Sequence, residues 1–351
     1  MSVHLISAEQ AMAQLDQFDA ILDARSEGEH AEDHLPGAQS WPSLNNEERI
    51  RVGTLYKQVS PFEAQKIGAA LVAKNIARHI ETHLMDKPKS WQPLIYCWRG
   101  GKRSNSLALI LGQIGFKVHL IEGGYKAFRK AVMDDTPSQA QRLQFQVLCG
   151  PTGSGKTRLL QALAQAGAQV LDLEAIACHR SSVLGLIPGQ AQPTQKAFDT
   201  QVWDALRRFS PDRPVYVEAE SKKVGNVTVP ADLMVAMRAS PCIRMDLSLE
   251  NRVDLLLEDY AFFTEDRKLF ASRLDKLTAL RGKTVVDGWK ERIVQGQMRE
   301  VVSELLSGHY DPGYEQSTQN NFVHYKHAPI VSPASHQYAD MQALAHQMIQ
   351  G

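Results

Sequence analysis

The chain has 351 residues, a length that exceeds what one hydrophobic core usually spans and therefore predicts two domains. Its hydrophobic content of 43%, charged content of 22% and formal net charge of zero are those of an ordinary globular protein. No apolar run reaches the length of a membrane span, and the four cysteines form no CxxC pair, which argues against a zinc site or a disulfide framework. The amino terminus lacks the features of a secretory signal, so we expect a cytoplasmic protein with reduced thiols.

Short apolar runs in the first part of the chain predict strands at residues 20–23, 93–96 and 118–121, with a helix between the last two. A second alternation starts at residues 145–149, and further strands are predicted at 169–173, 215–218, 243–247 and 329–331. Strands that alternate with helices predict an α/β fold built on parallel sheets with helices on both faces.

These patterns predict two domains separated by a polar stretch that contains Pro137. We expect the first domain at residues 1–135, a linker at 136–144 and the second domain at 145–351. Within the second domain, residues 249–306 are strongly helical in pattern and rich in charges of both signs. This segment is predicted to form a helical extension.

A lone cysteine follows the predicted strand 93–96, on a loop rich in glycines and cations that opens a helix. Cations and backbone N–H groups at a helix N-terminus favour the thiolate, which is the reactive form of cysteine. A buried core cysteine is the structural alternative, but a Gly-Gly loop between cations does not favour it. The predicted catalytic residues are Cys97, Arg99, Gly100, Gly101 and Arg103.

A complete phosphate-binding P-loop, Gly150-x4-Gly155-Lys156-Thr157, follows the predicted strand 145–149 and precedes a helix. Backbone N–H groups would cradle phosphates, Lys156 would neutralise them, and Thr157 would reach a Mg²⁺ ion bound with them. The motif does not specify the phosphate, so ATP and GTP stay open as ligands. The predicted phosphate-binding residues are Gly150, Gly153, Ser154, Gly155, Lys156 and Thr157.

The predicted strand 215–218 occupies the place of a Walker B strand, but it ends in glutamate rather than aspartate. Glu218 or Glu220 would orient a metal ion or a water molecule. The alternative is that both are ordinary charges at the end of a strand.

Charge is unevenly distributed around the two glycine-rich loops. Residues 87–121 contain six basic residues and no acidic one, and residues 136–198 contain only Asp172 and Glu174 as acids. Both loops therefore lie in electropositive sequence suited to anionic ligands. The simpler alternative is that phosphate-binding loops exclude carboxylates, without any polyanion as ligand.

The segments 22–38 and 121–128 resemble the opening and closing signatures of rhodanese domains, a resemblance that covers about residues 10–135. The loop Cys97-x5-Arg103 is one residue longer than in ordinary rhodaneses and has the length found in rhodanese-like cell-cycle phosphatases. Those enzymes usually carry His-Cys-Glu, whereas this chain has Tyr96-Cys97-Trp98. A rhodanese-type sulfurtransferase, or a Cys-x5-Arg phosphatase regulated by a nucleotide-binding P-loop domain, stays an alternative. A non-enzymatic, nucleotide-gated binding module is a third.

The combination of a rhodanese-like domain with a P-loop domain resembles the bacterial tRNA 2-selenouridine synthase family over nearly the whole chain. The segments that carry the resemblance are 52–57, 60–64, 96–101, 179–185, 218–221 and 309–312. The resemblance implies a transferase that converts wobble-position 2-thiouridine to 2-selenouridine through S-geranyl-2-thiouridine. Geranyl diphosphate and selenophosphate would be the substrates, with no tightly bound cofactor.

The same resemblance implies roles for the two loops and for the partners. Cys97 would carry selenium as a selanylcysteine, and the charge of the P-loop suits it to the diphosphate that geranyl transfer expels. The implied partners are the anticodon stem-loop of a tRNA with 2-thiouridine at the wobble position and an enzyme that supplies selenophosphate. We expect tRNA to contact both loops and the helical segment 249–306, whose alternative role is a solvated face with internal ion pairs. No membrane is expected as a partner.

Overall fold

The computed structural model describes residues 3–180 and 189–350. The predicted family segment 179–185 therefore lies largely outside the described residues. The chain divides into two compact units. Unit 1 comprises residues up to Thr136 together with Pro193–Asp204, and unit 2 comprises Pro137–Gln192 and Ala205–Gly351.

Unit 1 is built on a five-stranded parallel sheet with helices packed against it, as the sequence predicts. The strand order is β1-β5-β4-β2-β3. The strands are β1 (Val3–Ile6), β2 (Ala20–Asp23), β3 (Ala38–Ser40), β4 (Pro93–Tyr96) and β5 (Val118–Ile121). The helices are α1 (Ala8–Ala13), α2 (Glu27–Glu32), α3 (Asn46–Gln58), α4 (Pro61–His83), α5 (Lys102–Ile114) and α6 (Gly124–Arg142).

The three predicted strands β2, β4 and β5 form the centre of this sheet, and β1 and β3 form its edges. All four residues of β4 are buried, so the strand reads as a continuous apolar run, which is typical of a parallel strand covered on both faces. The edge strands are short, and none of their residues is buried. The sequence of β3 carries no such apolar signal. The sequence of β1 is the same as that of β5, VHLI, and sequence analysis did not predict this strand. In a parallel sheet the residues that follow β2 and β4 lie at the same edge, which brings Ala24 close to Cys97.

The two units divide at Thr136 and Pro137, close to the predicted domain boundary. The prediction of a linker at residues 136–144 is wrong, because α6 continues as a helix to Arg142 with Pro137 inside it. Ala140 is fully buried and Leu143 is nearly so, which a solvated linker would not be. Proline removes one backbone donor from the helix. Just before it, the hydroxyl of Thr136 donates to the carbonyl of Val132 at 2.7 Å.

Unit 2 contains a second five-stranded parallel sheet, with strand order β12-β11-β6-β8-β7, and a small hairpin. The strands are β6 (Phe145–Cys149), β7 (Gln169–Leu171), β8 (Val215–Glu218), β9 (Lys223–Val224), β10 (Val227–Thr228), β11 (Cys242–Met245) and β12 (Ile330–Val331). The predicted strand 169–173 ends early, because the side chain of Asp172 accepts from the backbone of Ala175 and starts a helix.

The helices of unit 2 surround this sheet and then extend beyond it. They are α7 (Lys156–Gln165), α8 (Leu173–Ala177), α9 (Gln195–Arg208), α10 (Ala231–Ala239), α11 (Leu249–Asp259), α12 (Ala261–Glu265), α13 (Arg267–Leu274), α14 (Thr278–Arg281), α15 (Lys283–Val294), α16 (Met298–Leu305), α17 (Asp311–Asn321) and α18 (Tyr338–Gln350). Of these, α9 is divided between the units at Asp204.

The predicted helical extension is confirmed as α11–α16. It has a core of its own, in which Phe263, Phe270, Trp289 and Leu305 are buried. A π-helical turn at Leu306–Tyr310 links α16 to α17. Across residues 3–180 and 189–350, no helix is both long enough and apolar enough to cross a membrane.

Helix α9 begins with residues that belong to unit 1, although they lie far along the chain. Trp203 is 1% exposed and packs edge-on against Phe128 in the core of unit 1. Its indole Nε1 donates to Asp135 at 2.8 Å, and the hydroxyl of Thr200 donates to Asp33 at 3.0 Å. The first domain therefore includes a segment that the predicted boundary of 1–135 leaves out.

Candidate functional site

The Cys97 thiol lies at the point where β4 ends and α5 begins, and only 2% of the residue is exposed. Its Sγ accepts a hydrogen bond from the backbone N–H of Gly101 at 3.3 Å and one from the hydroxyl of Ser104 at 3.0 Å. Two donors and the N-terminus of a 13-residue helix thus converge on one sulfur atom. Such an arrangement would stabilise negative charge on sulfur or on an atom attached to it.

The backbone of this loop depends on glycines that no other residue could replace without strain. Gly100 has φ +65°, and a Cβ there would lie 3.2 Å from the backbone of Ile121 and Gly123. Gly124 has φ +60°, and a Cβ there would lie 2.3 Å from the carbonyl oxygen of Cys97. That close approach allows the N–H of Tyr125 to donate to the same carbonyl at 2.8 Å. The closing segment 121–128 therefore fixes the cysteine loop.

The cations predicted around Cys97 differ in where their side chains lie. Arg103 forms an ion pair with Glu29 at 2.7 Å, and Arg49 contacts the same carboxylate at 3.1 Å. Burial alone would raise the pKa of Glu29, but hydrogen bonding and the charge of Arg103 hold it below its usual range. Arg99 and Lys102 are exposed. They are available to an anionic ligand, whereas Arg103 is engaged with a carboxylate.

A buried ionic network supports the end of β4. The Arg25 side chain, 1% exposed, makes a bidentate contact with Asp23, and the hydroxyl of Tyr96 donates to Asp23 at 2.9 Å. The guanidinium lies 4.0 Å from the ring centroid of Tyr125, whose hydroxyl donates to Asp33 at 2.7 Å. Burial raises the pKa of Asp33. Because both tyrosines flank the Cys97 loop, this network positions the loop.

The P-loop of unit 2 has the strand–loop–helix geometry that its sequence predicts, between β6 and α7. Gly153 and Gly155 adopt φ +77° and +85°, and a Cβ at Gly155 would lie 2.5 Å from Met341. The ammonium of Lys156 donates to the carbonyl of Gly150 at 2.6 Å. The hydroxyl of Ser154 is buried and has no hydrogen-bond partner in the described part of the chain. An oxygen-rich anion in the loop would satisfy it.

Carboxylates gather beside the P-loop at the end of β8. Thr157 donates its hydroxyl to Glu218 at 2.7 Å. The carboxylate oxygens of Glu174, Glu218 and Glu220 lie within 4.8 Å of one another. Burial, together with the charge of Glu174, raises the pKa of Glu218 to about 8. A hydroxyl with several carboxylates is a hard-oxygen donor set, and it fits Mg²⁺.

Glu174 belongs to this cluster but was not predicted as a site residue. A signal was present, because Asp172 and Glu174 are the only acids between residues 136 and 198. Two carboxylates in a stretch with no other acids, next to a P-loop, are candidate metal ligands. Sequence spacing alone did not show that α8 would carry it to the end of β8.

The P-loop opens into a cavity of about 820 Å³ that is lined by both basic and acidic side chains. Lys156, Arg180, Lys222 and Arg238 contribute cations, whereas Glu174, Glu218, Glu220 and Asp259 contribute carboxylates. A cavity of this size and charge suits a phosphorylated ligand bound with a metal ion.

Two residues far along the chain hold the P-loop in place, and sequence analysis assigned neither of them to it: Arg252 was expected only as one of the cations of the segment 249–306 that contact tRNA. Arg252 donates to the carbonyl of Thr152 through Nε at 3.0 Å and Nη2 at 2.8 Å, and it also pairs with Asp311. The hydroxyl of Tyr314 accepts from the N–H of Gly150 at 2.6 Å, and burial raises the pKa of Tyr314. Asp311 lies in the family segment 309–312, which was the available signal.

The structure thus brings the predicted P-loop residues together with Glu218 and Glu220 in unit 2. It brings Cys97 together with Gly101 in unit 1. Arg99 and Arg103 lie on the same loop, where the side chain of Arg99 is exposed and that of Arg103 pairs with Glu29.

Comparison with known proteins identifies both units. A family described as a rhodanese-like domain matches residues 7–131, and a family described as the tRNA 2-selenouridine synthase AAA domain matches residues 143–275. The chain is 32% identical over 327 residues to a protein named tRNA 2-selenouridine synthase from Alcanivorax borkumensis, covering 84% of this chain and 88% of that protein.

Two further relatives carry the same name. One, from Marinobacter nauticus, is 30% identical over 331 residues and covers 85% of this chain and 88% of its own. The other, from Nitrosomonas europaea, is 36% identical over 251 residues and covers 70% of this chain and 64% of its own.

Proposed function

Because this chain belongs to the tRNA 2-selenouridine synthase family, we propose that it is a transferase that converts 2-thiouridine at the wobble position of tRNA to 2-selenouridine. The observation that carries the proposal is the match to a relative of that name along 84% of the chain. The cysteine loop and the P-loop both lie within the residues that the two family matches cover.

The proposed first step is geranylation of the sulfur. The C1–O bond of geranyl diphosphate breaks with its electron pair on diphosphate, the 2-thiouridine sulfur bonds to C1, and the nucleobase loses its N3 proton. Charge develops on the leaving diphosphate, and backbone N–H groups of the P-loop together with Lys156 would stabilise it. The buried Ser154 hydroxyl would donate to the same group.

The metal-compatible cluster supports the same step. Thr157 and Glu218 would hold a Mg²⁺ ion, with Glu174 and Glu220 beside them, and the ion would neutralise diphosphate charge. Because the pKa of Glu218 is raised to about 8, a cation at this position would displace its proton.

The proposed second step replaces the S-geranyl group with selenium from selenophosphate. Alkylation makes this replacement easier, because alkylated sulfur leaves as a thiol, whereas thiolate-like sulfur on a pyrimidine is a poor leaving group. In the net reaction water takes the phosphoryl group of selenophosphate, and the P–Se bond breaks with its electron pair on selenium. The selenide then bonds to C2 of the nucleobase as geranylthiol leaves. Cys97 is proposed to hold the selenium at the site during this transfer, since its sulfur already accepts from Gly101 and Ser104. The exposed Arg99 would attract the anionic selenium donor.

The test expresses this chain in cells that lack a 2-selenouridine synthase gene of their own and analyses their wobble nucleosides by mass spectrometry. Cells that express this chain should contain 2-selenouridine, and a supply of selenium should be required. A chain that hydrolyses phosphoesters but leaves 2-thiouridine unchanged would support the phosphatase alternative. Transfer of sulfur alone from thiosulfate to Cys97 would support a sulfurtransferase.

A further inference from the structure

A small apolar cavity lies inside the helical extension of unit 2, outside the residues that the proposed function uses. Its volume is about 60 Å³. The walls come from α11, α12, α13, α16 and the π-helical turn 306–310. They include Leu256, Phe263, Phe270, Met298, Val302 and Leu306. Except for Thr152, every lining residue is apolar or aromatic.

This cavity adjoins the P-loop cavity. Thr152, Leu256, Tyr260 and Tyr310 line both of them. Tyr310 ends the π-helical turn, a type of distortion often found at functional sites. A ligand with a phosphate group in the P-loop could therefore extend an apolar portion past Thr152 into the apolar cavity.

Helix α11 forms a common wall and fixes the spacing between the two cavities. A Cβ at Gly153 would lie 3.0 Å from the side chain of Leu256, so the P-loop packs directly against this helix. One turn before Leu256, Arg252 donates to the carbonyl of Thr152. The phosphate-binding backbone and the apolar wall are thus held in one arrangement.

We propose that the apolar cavity binds the hydrocarbon end of a prenyl diphosphate whose diphosphate lies in the P-loop. The inference rests on the proposed geranyl transfer and names the part of the chain that recognises the geranyl group. It also gives the helical extension a role other than contact with tRNA.

The volume of the cavity sets the length of the chain. Roughly 10–15 Å³ of such volume admits one water-sized group, so about 60 Å³ admits roughly four to six. That is the size of one five-carbon isoprenoid unit. We therefore expect the terminal unit of a ten-carbon chain to enter the cavity, the first unit to lie at the shared mouth, and the added unit of a fifteen-carbon chain to gain little further contact.

The experiment measures binding of a homologous series to the full-length protein with Mg²⁺: inorganic diphosphate, then dimethylallyl, geranyl and farnesyl diphosphates. Each buried carbon strengthens binding by about four-fold at most, so geranyl diphosphate should bind at least tenfold more tightly than dimethylallyl diphosphate. Farnesyl diphosphate should bind no more tightly than geranyl diphosphate.

Two cavity variants test the location. Val302→Phe fills the cavity and should lower geranyl diphosphate affinity at least tenfold while inorganic diphosphate binds as before. Phe270→Ala enlarges it and should shift preference toward farnesyl diphosphate. Val294→Phe, at an exposed position of α15, is the matched control and should change neither. We expect Phe270→Ala to gain affinity for farnesyl diphosphate. The inference therefore stays testable even if Val302→Phe does not fold.

The outcomes separate this inference from the proposed function. If geranylated tRNA forms in cells but both cavity variants keep the wild-type chain-length profile, the inference is overturned and the function stands. If geranyl diphosphate binds no more tightly than inorganic diphosphate and no geranylated nucleoside forms, both fail. A changed profile in Phe270→Ala supports the inference.

Discussion

The Cys97 sulfur is the most important single atom of the candidate site in unit 1. Two hydrogen-bond donors meet at it, on a loop whose conformation requires glycine at Gly100. Gly101 and Ser104 supply those donors. In the proposed second step Cys97 is the group that holds selenium, and these two donors act only on its sulfur. The thiol should therefore be indispensable for selenation and unnecessary for geranyl transfer.

Replacing Cys97 with alanine is expected to abolish 2-selenouridine while S-geranyl-2-thiouridine still forms and accumulates. Mass spectrometry of wobble nucleosides measures both products in one sample. Cys178→Ser, a change to a half-buried cysteine in unit 2, is the control and should leave both products unchanged. Loss of both products in Cys97→Ala, with the fold intact by thermal unfolding, would contradict this division of roles.

Replacing Lys156 with alanine should block the proposed first step rather than the second. The developing diphosphate charge would lose its main cation, so we expect geranyl diphosphate binding to weaken and both modified nucleosides to disappear. Calorimetric titration with inorganic diphosphate measures the binding change directly. If Lys156→Ala binds and transfers the geranyl group normally, the P-loop serves another ligand, most simply a nucleotide.

Glu218 should make the free energy of unfolding of unit 2 depend on pH. Its pKa is raised from 4.5 to about 8 because the buried carboxylate is poorly solvated. The folded state then binds a proton more tightly than the unfolded state does, so stability should fall as pH rises from about 4.5 to 8. The slope should be at most about 1.4 kcal/mol per pH unit. Glu218→Gln should remove this slope in urea unfolding curves.

Mg²⁺ provides an independent check on the same residue. Binding requires the ionised carboxylate, so thermal stabilisation by Mg²⁺ should increase as pH rises toward 8. The Gln variant should show little stabilisation at any pH. Equal stabilisation of both proteins across that range would exclude Glu218 as a ligand.

At the scale of elements, α9 shows how a distant segment completes a core. Trp203 is buried against Phe128 and bonded to Asp135 within unit 1. Trp203→Ala should destabilise unit 1 by about 3–5 kcal/mol, the usual cost of removing a large buried aromatic side chain. Urea unfolding measures it. Val235→Ala, at an exposed position of α10, should stay within about 0.5 kcal/mol of the wild type.

Comparison of the predicted elements with the structure shows which of them the sequence could predict. Central strands such as β4 are buried on both faces and are recognisable as apolar runs, whereas the short exposed edge β3 is not. β1 has the same four residues as β5, VHLI, so these residues alone do not distinguish an edge strand from a central one. The glycine loops follow from local chemistry. In contrast, the partners of α9 and the arrival of Glu174 beside Glu218 depend on how distant elements pack. The polar composition around Pro137 predicted a linker, but burial of Ala140 keeps the helix intact.

At the scale of the whole molecule, a chain with a net charge of zero would offer the proposed tRNA substrate a local surface rather than an overall field. For part of the helical extension the structure favours the alternative to tRNA contact, namely a solvated face whose cations form ion pairs within the chain. Arg252 pairs with Asp311, Arg292 with Glu304, and Lys290 with Asp275. Those cations are largely neutralised. Within the described residues, no carboxylate pairs with the exposed Arg267 and Lys268, which start α13.

Reversing both charges, as Arg267→Glu with Lys268→Glu, should therefore weaken tRNA binding regardless of sequence. Each neutralised phosphate releases a counterion, so wild-type affinity should fall steeply with salt and the variant should show a shallower slope. Lys66→Glu with Lys130→Glu is the control of equal charge, because each of those lysines already pairs with a carboxylate. Filter-binding titrations over a range of salt concentrations measure both slopes. An unchanged affinity and slope in the α13 variant would remove this surface from the tRNA interface and leave the contact to the two glycine-rich loops.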